Sequence, residues 1–505
     1  MVLTISLAVC PGIAGLASAD GPDTAGTRLA GVRMGPHAVG FDVIHSADPT
    51  RIVNPTDGGT KVGIATWYPA HAATGQAMTA LQYRQLGYLV PPDPRQQRDI
   101  EDDEVESLRA WRHIGIVDLT REQARASLHT RGVAVRGAAA TEGRFPVVVV
   151  LGGAHYLSST AEALASHGFL VVAAFRYADQ SNEIGASGFA WYLENSVRDA
   201  EWALSELRAH PHADLRHVSA IGHGGGGMIA MLFAMRNRSV DALVNIDAGN
   251  FSQRSAIRDN PLYSRRLMRA PYLYIATAST RKSQDQFEEF EGMTFSARFE
   301  VALDDAELRH HDLSDYGRAV TAPMAIRGAP QTDVQQRYVD VHDMAVRFLL
   351  ERSERAPAGS VRFGEWLSAQ RSPRTTVTMR PGTEPAPTVV RLLETVDART
   401  LTALEDARRR DPEAPVFEAQ NLSRLVSKAI AVGDLESALG LADFSVGVHP
   451  NAPALHALKS QVLEARGDMA GARRIAVACG ALQATNDWRA TLAITQCNDR
   501  ALRLR

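Results

Sequence analysis

Short apolar runs and amphipathic stretches alternate along the middle of the chain. From Pro146 onward VVVVL (147–151), FLVVAAF (169–175), HVSAIG (217–222), ALVNI (242–246) and YLYIATA (272–278) are apolar runs. Short, nearly continuous apolar runs predict strands covered on both faces by crossover helices. Between two of them Val197, Ala200, Leu204 and Leu207 recur at steps of three and four residues, which places one apolar stripe on a helix. Val341, Ala345, Phe348 and Leu349 form a similar stripe, suited to a helix that closes the array. Upstream, VGFDVIH (39–45) and VGIATWY (62–68) are β-rich runs bounded by Pro, Gly and Asp, and predict paired strands at a sheet edge. The mixed polar stretch from about 70 to 140 reads as an insertion over the sheet. The whole predicts an α/β domain over 20–370, a mostly parallel sheet flanked by helices.

The pattern then changes. Residues 371–388 hold four prolines and little apolar content, and read as an extended linker. In the following stretch, 389–505, GDLESAL begins at Gly433 and GDMAGAR at Gly467, a separation of 34 residues that matches Ala438 to Ala472. That separation is the tetratricopeptide period, in which Gly turns the helix pair and small Ala permits close packing. The stretch therefore resembles a tetratricopeptide-like all-α domain, which implies a protein partner. A generic bundle of helical hairpins is the alternative.

Composition narrows the function. The chain has 505 residues, 45% hydrophobic and 22% charged, with a net charge of -3. More than one core is expected at this length. No basic field exists to hold a polyanion, so nucleic acid is not an expected partner. Residues 1–19 are an apolar stretch ending in Ala17-Ser18-Ala19, a small-x-small site for signal peptidase. They predict export to the periplasm or the medium. No Lys or Arg precedes the run, so a buried strand or helix is the other reading. It is too short, and too interrupted by Pro11 and Gly12, for a stable membrane span. After cleavage Cys479 and Cys497 remain, either as one disulfide or as two buried thiols.

The chemistry centres on Gly222-His223-Gly224-Gly225-Gly226, which follows one predicted strand and opens a helix. This is the context of a G-x-S-x-G nucleophile elbow. The outer glycines, Gly222 and Gly226, suit a turn where neighbouring strands leave no room for Cβ atoms. The central residue of an elbow has φ > 0, at a cost of about 1–3 kcal/mol in a non-glycine residue. Here that position is Gly224, so the attacking oxygen is missing.

Three further segments carry a resemblance: FPVVVVLGGAHYLSSTAEALASHGFLVVA, VRDAEWALSEL and ALVNIDAG. Residues 38–352 resemble the platelet-activating-factor acetylhydrolase and dienelactone-hydrolase-like branch of the α/β-hydrolases. The resemblance implies an α/β-hydrolase fold and carboxylic ester hydrolysis as the family's activity. It implies Asp247 as the acid, and His310 as the base because His310-His311-Asp312-Leu313-Ser314-Asp315 matches the family's H-x-x-F-S-D with Leu for Phe. Oxyanion donors would be the amide of Gly225 and that of Gly153 or Ala154. No cofactor is expected, and no metal, because the adjacent residues His310, His311 and Asp312 cannot easily chelate one ion. Ser158 and Ser159 read as a helix N-cap rather than as substitute nucleophiles.

Two functions follow. One is a non-hydrolytic binder of a small acyl or ester-like ligand, with Gly224 a degenerate nucleophile position. The other is an active ester hydrolase that uses His310 and Asp247 with water or another nucleophile.

Overall fold

A computed structural model describes residues 22–504 apart from 25, 52–57, 72–73, 89–93, 111–118, 178–187, 249–256, 259, 261–262, 282–289, 307, 316–330 and 484–487. The expected leader, 1–19, lies outside the described residues. So does much of 250–270, expected to help wall a pocket. The chain divides into Met1–Gly382 and Thr383–Arg505.

The first unit is built on one sheet. Its strands are β1 (Ala38–Asp48), β2 (Thr60–Ala70), β3 (Ala77–Thr79), β4 (Arg131–Arg136), β5 (Phe145–Leu151), β6 (Leu170–Arg176), β7 (Ala213–His223), β8 (Val240–Ile246), β9 (Tyr272–Thr277), β10 (Arg298–Leu303) and β11 (Thr375–Arg380). They lie in the order β11-β10-β9-β8-β7-β5-β6-β2-β1-β4-β3. From β6 to β10 every pairing is parallel, whereas β2 joins β6, and β11 joins β10, antiparallel. The five apolar runs are strands β5 to β9, and the α/β class read from them is the class observed.

Buried strands need both faces covered, and alternation along β5 shows how. Val148 and Val150 face one cluster, with Phe169, Val171 and Phe348, while Val147, Val149 and Leu151 face the other, with Leu193, Val197 and Phe233. The first layer includes α1 (Ser158–Ser166) and α4 (Gln331–Arg352), and the second α2 (Gly188–Glu206) and α3 (Gly225–Arg236). The stripe at Val197 lies on α2 and that at Val341 on α4.

Three expectations need correction. Within the supposed insertion, Arg131–Arg136 joins the sheet as β4, with Gly40 opposite Val135, because RGVAVR, though short, has β-branched side chains to pack there. Within the supposed linker 371–388, Thr375–Arg380 is edge strand β11, with Val377 opposite Val301. Its prolines flank the strand rather than interrupt it, so the ladder loses no N–H. Ser158 and Ser159 do not cap α1. The residue before the helix is Leu157, and the hydroxyl of Ser158 and the amide of Ser159 both donate to Asp315 Oδ2, at 2.6 and 2.7 Å. A distant carboxylate thus serves the helix N-terminus.

Glu162, in the middle of α1, is 0% exposed. Its carboxylate accepts from the Arg28 guanidinium, from the Tyr83 hydroxyl at 2.8 Å and from the Val133 amide at 2.6 Å.

The second unit is helical. Helices Ala419–Ala431 and Leu435–Val448 form one pair, and Pro453–Ala465 and Met469–Gly480 another. The turns are alike: Gly433 has φ +79° and Gly467 φ +86°, and the following Asp434 and Asp468 each cap the next helix. Cys479 and Cys497 form a disulfide with Cα atoms 5.9 Å apart, which excludes the two-thiol alternative. Among the described residues no helix is long and apolar enough to cross a membrane.

Candidate active site

The site lies where β5, β7, β8 and β9 end at their carboxyl edges, the usual ligand crevice of open α/β sheets. Strand β7 runs into Gly224, and α3 starts at the next residue. Gly224 has φ +55° and ψ −123°, the positive-φ turn expected of an elbow, here occupied by glycine. The outer glycines are demanded by contact. A Cβ on Gly222 would lie 2.3 Å from the Gly226 carbonyl oxygen, and one on Gly226 2.3 Å from that of Leu151. A Cβ on Gly152 would lie 2.5 Å from the Gly226 Cα. The loop after β5 is therefore pressed against the start of α3, and the Gly225 amide opens the helix beside the turn at Gly153 and Ala154. Gly153, at φ +114°, precedes one 3-10 turn, Ala154–Tyr156.

Asp247 follows β8 directly. It is fully buried and has φ +46°. Its Oδ1 accepts from the Thr277 amide at 2.7 Å, and its Oδ2 lies 2.7 Å from His310 Nδ1. Burial alone would raise this carboxyl. The hydrogen bond and charge of His310, with the Thr277 amide, bring it below the usual carboxylate range instead. An ionised carboxylate only accepts, so Nδ1 of His310 carries the proton, and whenever the ring is neutral its lone pair is at Nε2. Asp247 thus holds the histidine rather than capping a following segment. His310 is 32% exposed at its side chain, and no hydroxyl of a described residue is hydrogen-bonded to its Nε2.

The ring sits unusually close to the elbow. A Cβ on Gly224 would lie 2.7 Å from His310 Nε2 and 2.9 Å from its Cε1. A serine oxygen would need its own hydrogen bond of about 2.6–3.2 Å to that nitrogen, and the gap cannot hold it with the ring in place.

Sequence reasoning missed the support around this pair. His223 is 6% exposed, stacks on His310 at 4.4 Å between centroids, and its Nε2 donates to the His310 carbonyl at 2.9 Å. Burial, then the charge of His310, holds its pKa well below the ordinary value. Burial pushes His311 down to about 4. The position of His223, one place before Gly224, is the signal the sequence carries for it. Asp315 gave a signal in the motif, but its work is on α1 and on the Tyr338 hydroxyl, which donates to it at 2.7 Å.

The depressed value of His223 sets an acid sensitivity. Above pH 6.5 folded and unfolded rings are both neutral. Below it the unfolded ring takes a proton that the folded ring refuses, so stability falls by about 1.4 kcal/mol per pH unit from this residue. Urea unfolding at pH 7.5, 6.0 and 5.0 should show that slope, and His223→Phe should flatten it by roughly one proton.

A cavity of about 380 Å³ opens beside Gly152, Gly153 and Ala154, within the range of small-molecule sites. Tyr156, Phe175, Trp191 and Tyr192 wall it, with Arg176 and Asp199 at one side. These two form an ion pair at 2.9 Å, and Asp199 also meets Arg51 at 2.7 Å.

No family model and no curated protein matches the chain. Among solved structures it is similar to a ferulic acid esterase from Streptomyces cinnamoneus, 16% identical, over 69% of this chain and 97% of that one, with a TM-score of 0.45.

Proposed function

We propose that the first unit is an α/β-hydrolase that has lost its serine and binds a small acyl or ester-like ligand, with weak turnover at most. The observation that carries this reading is the 2.7 Å approach of His310 Nε2 to the Cβ position of Gly224. The base is packed against the glycine, so the site is more than a serine site with one oxygen deleted. The retained Asp247–His310 pair at 2.7 Å, and the cavity beside Gly153, support binding of an ester-like group. The second reading, hydrolysis through water or another nucleophile, is favoured by the same pair.

The helical unit is proposed to bind a protein, as tetratricopeptide arrays do, supported by the repeated turn at Gly433 and Gly467. Export is proposed on the apolar leader, and the Cys479–Cys497 bond fits an oxidising compartment.

Calorimetry with benzyl methyl ketone, which replaces the bridging oxygen of phenyl acetate by CH₂, tests the ligand reading. Saturable binding in the millimolar range or tighter is expected, weakened at least about tenfold by Ser196→Trp, which fills the cavity. Absence of saturable heat would sink the reading.

A further inference from the structure

We propose that His310 Nε2 is itself the nucleophile of this site and takes acyl groups from aryl esters. This rests on the reading that the site binds an ester-like ligand. The geometry brings a nitrogen up against the place where an enzyme with serine keeps its oxygen. Nε2 stands 2.7 Å from the Gly224 Cβ position, and Asp247 occupies Nδ1 at 2.7 Å. The side chain is 32% exposed, so a ligand reaches it. The alternative hydroxyls nearby are engaged or enclosed. Ser158 donates to Asp315, and Ser159 and Ser219 are 0% and 4% exposed.

Histidine is a competent nucleophile for acyl transfer. The Nε2 lone pair attacks the ester carbonyl carbon, and the carbonyl oxygen gains the negative charge facing the Gly225 amide. The tetrahedral adduct then breaks its bond to the aryloxide, which leaves with the electron pair. An acyl-imidazolium remains, its Nδ1 proton shared with Asp247. Water adds to the acyl carbon, the C–Nε2 bond breaks, and the acid and neutral imidazole form. The proton released by water neutralises the aryloxide, so ester plus water gives acid plus phenol.

The adduct expels whichever group leaves better. A neutral imidazole outruns an alkoxide, so alkyl esters return to substrate, while a phenoxide competes and goes forward. The substrate class is therefore the ester of a phenol. The aromatic wall of Tyr156, Phe175, Trp191 and Tyr192 beside the oxyanion loop suits that aryl group, since ring pairs prefer edge-to-face and offset contacts.

The test is rapid mixing of the full chain in excess over 4-nitrophenyl acetate, with mass analysis of quenched peptides. The expected result is about one equivalent of acetyl on His310 that hydroxylamine removes, a solvent deuterium effect near one on nitrophenolate release, and ethyl acetate turned over at least a thousandfold more slowly. His310→Gln should lose the adduct, and Gly224→Ala, whose Cβ drives the ring away, should slow it at least tenfold. A deuterium effect of two to three on nitrophenolate release, or turnover without adduct, would overturn the proposal in favour of water activated by His310. If benzyl methyl ketone binds while no acetyl reaches His310, the nucleophile proposal fails and the binding reading stands. If neither occurs, both fall.

Discussion

Gly224→Ser should give the chain a reactive serine. Incubation with a fluorophosphonate is expected to label residue 224 stoichiometrically, and nitrophenyl ester turnover should rise by about 10³ or more over any slow acyl transfer of the natural chain, the scale on which a serine nucleophile is missed. Three parts are in place for it. Gly224 already has the elbow conformation, φ +55° and ψ −123°. The Gly225 amide opens α3, and Asp247 holds His310 at 2.7 Å. The new Cβ would meet the ring end at 2.7 Å, so the imidazole must retreat. That is a small movement of a partly exposed side chain with one hydrogen-bonded ring nitrogen. A serine in this backbone region should lower stability by about 1–3 kcal/mol, seen as a lower urea midpoint. Gly224→Ala carries the same strain and the same push on the ring without an oxygen. It should be equally destabilised and unlabelled. A folded but inert Gly224→Ser protein would mean that the oxyanion donors or the dyad cannot serve a serine.

Arg28→Ala is expected to destabilise the first unit by about 3–5 kcal/mol, because it leaves a buried carboxylate without its cation. Glu162 is 0% exposed and Arg28 6%. Among the described residues the carboxylate keeps only the Tyr83 hydroxyl and the Val133 amide as donors. Since whole domains are stable by about 5–15 kcal/mol, the variant should unfold at much lower urea. Glu162→Ala should cost a similar amount, and the double variant less than the sum. Additive losses would show that the two charges do not stabilise each other.

Much of the fold was legible because its strands are buried on both faces. Val147 to Leu151 has no polar residue to alternate, and that continuity sets it apart from a surface strand. The elbow was legible for a different reason: Gly222 and Gly226 are fixed by contacts at 2.3 Å that no side chain satisfies. Strand β11 was not. TTVTMR has modest apolar content, and Pro373 and Pro381 on either side read as a linker unless the partner strand is known. Glu162 was equally hidden. In SSTAEALAS it looks like a solvent-facing helix residue, and its burial depends on Arg28, 134 positions away. The closure of His310 on Gly224 is a matter of ångströms, which spacing cannot encode. Neither can the stacking of His223, since the two rings meet across 87 positions.

Asp315 gives the geometry a meaning of its own. It closes the segment that begins at His310, and it holds the first turn of α1 through Ser158 and Ser159. Asp247, at the other side, ties the end of β8 to β9 through the Ile275 carbonyl and the Thr277 amide. Both carboxylates are therefore beams of the building as well as neighbours of the candidate site. Those duties do not depend on the residue at 224, and a chain without turnover would still need both aspartates to stand up. The presence of both beside Gly224 therefore measures the demands of folding before it measures chemistry.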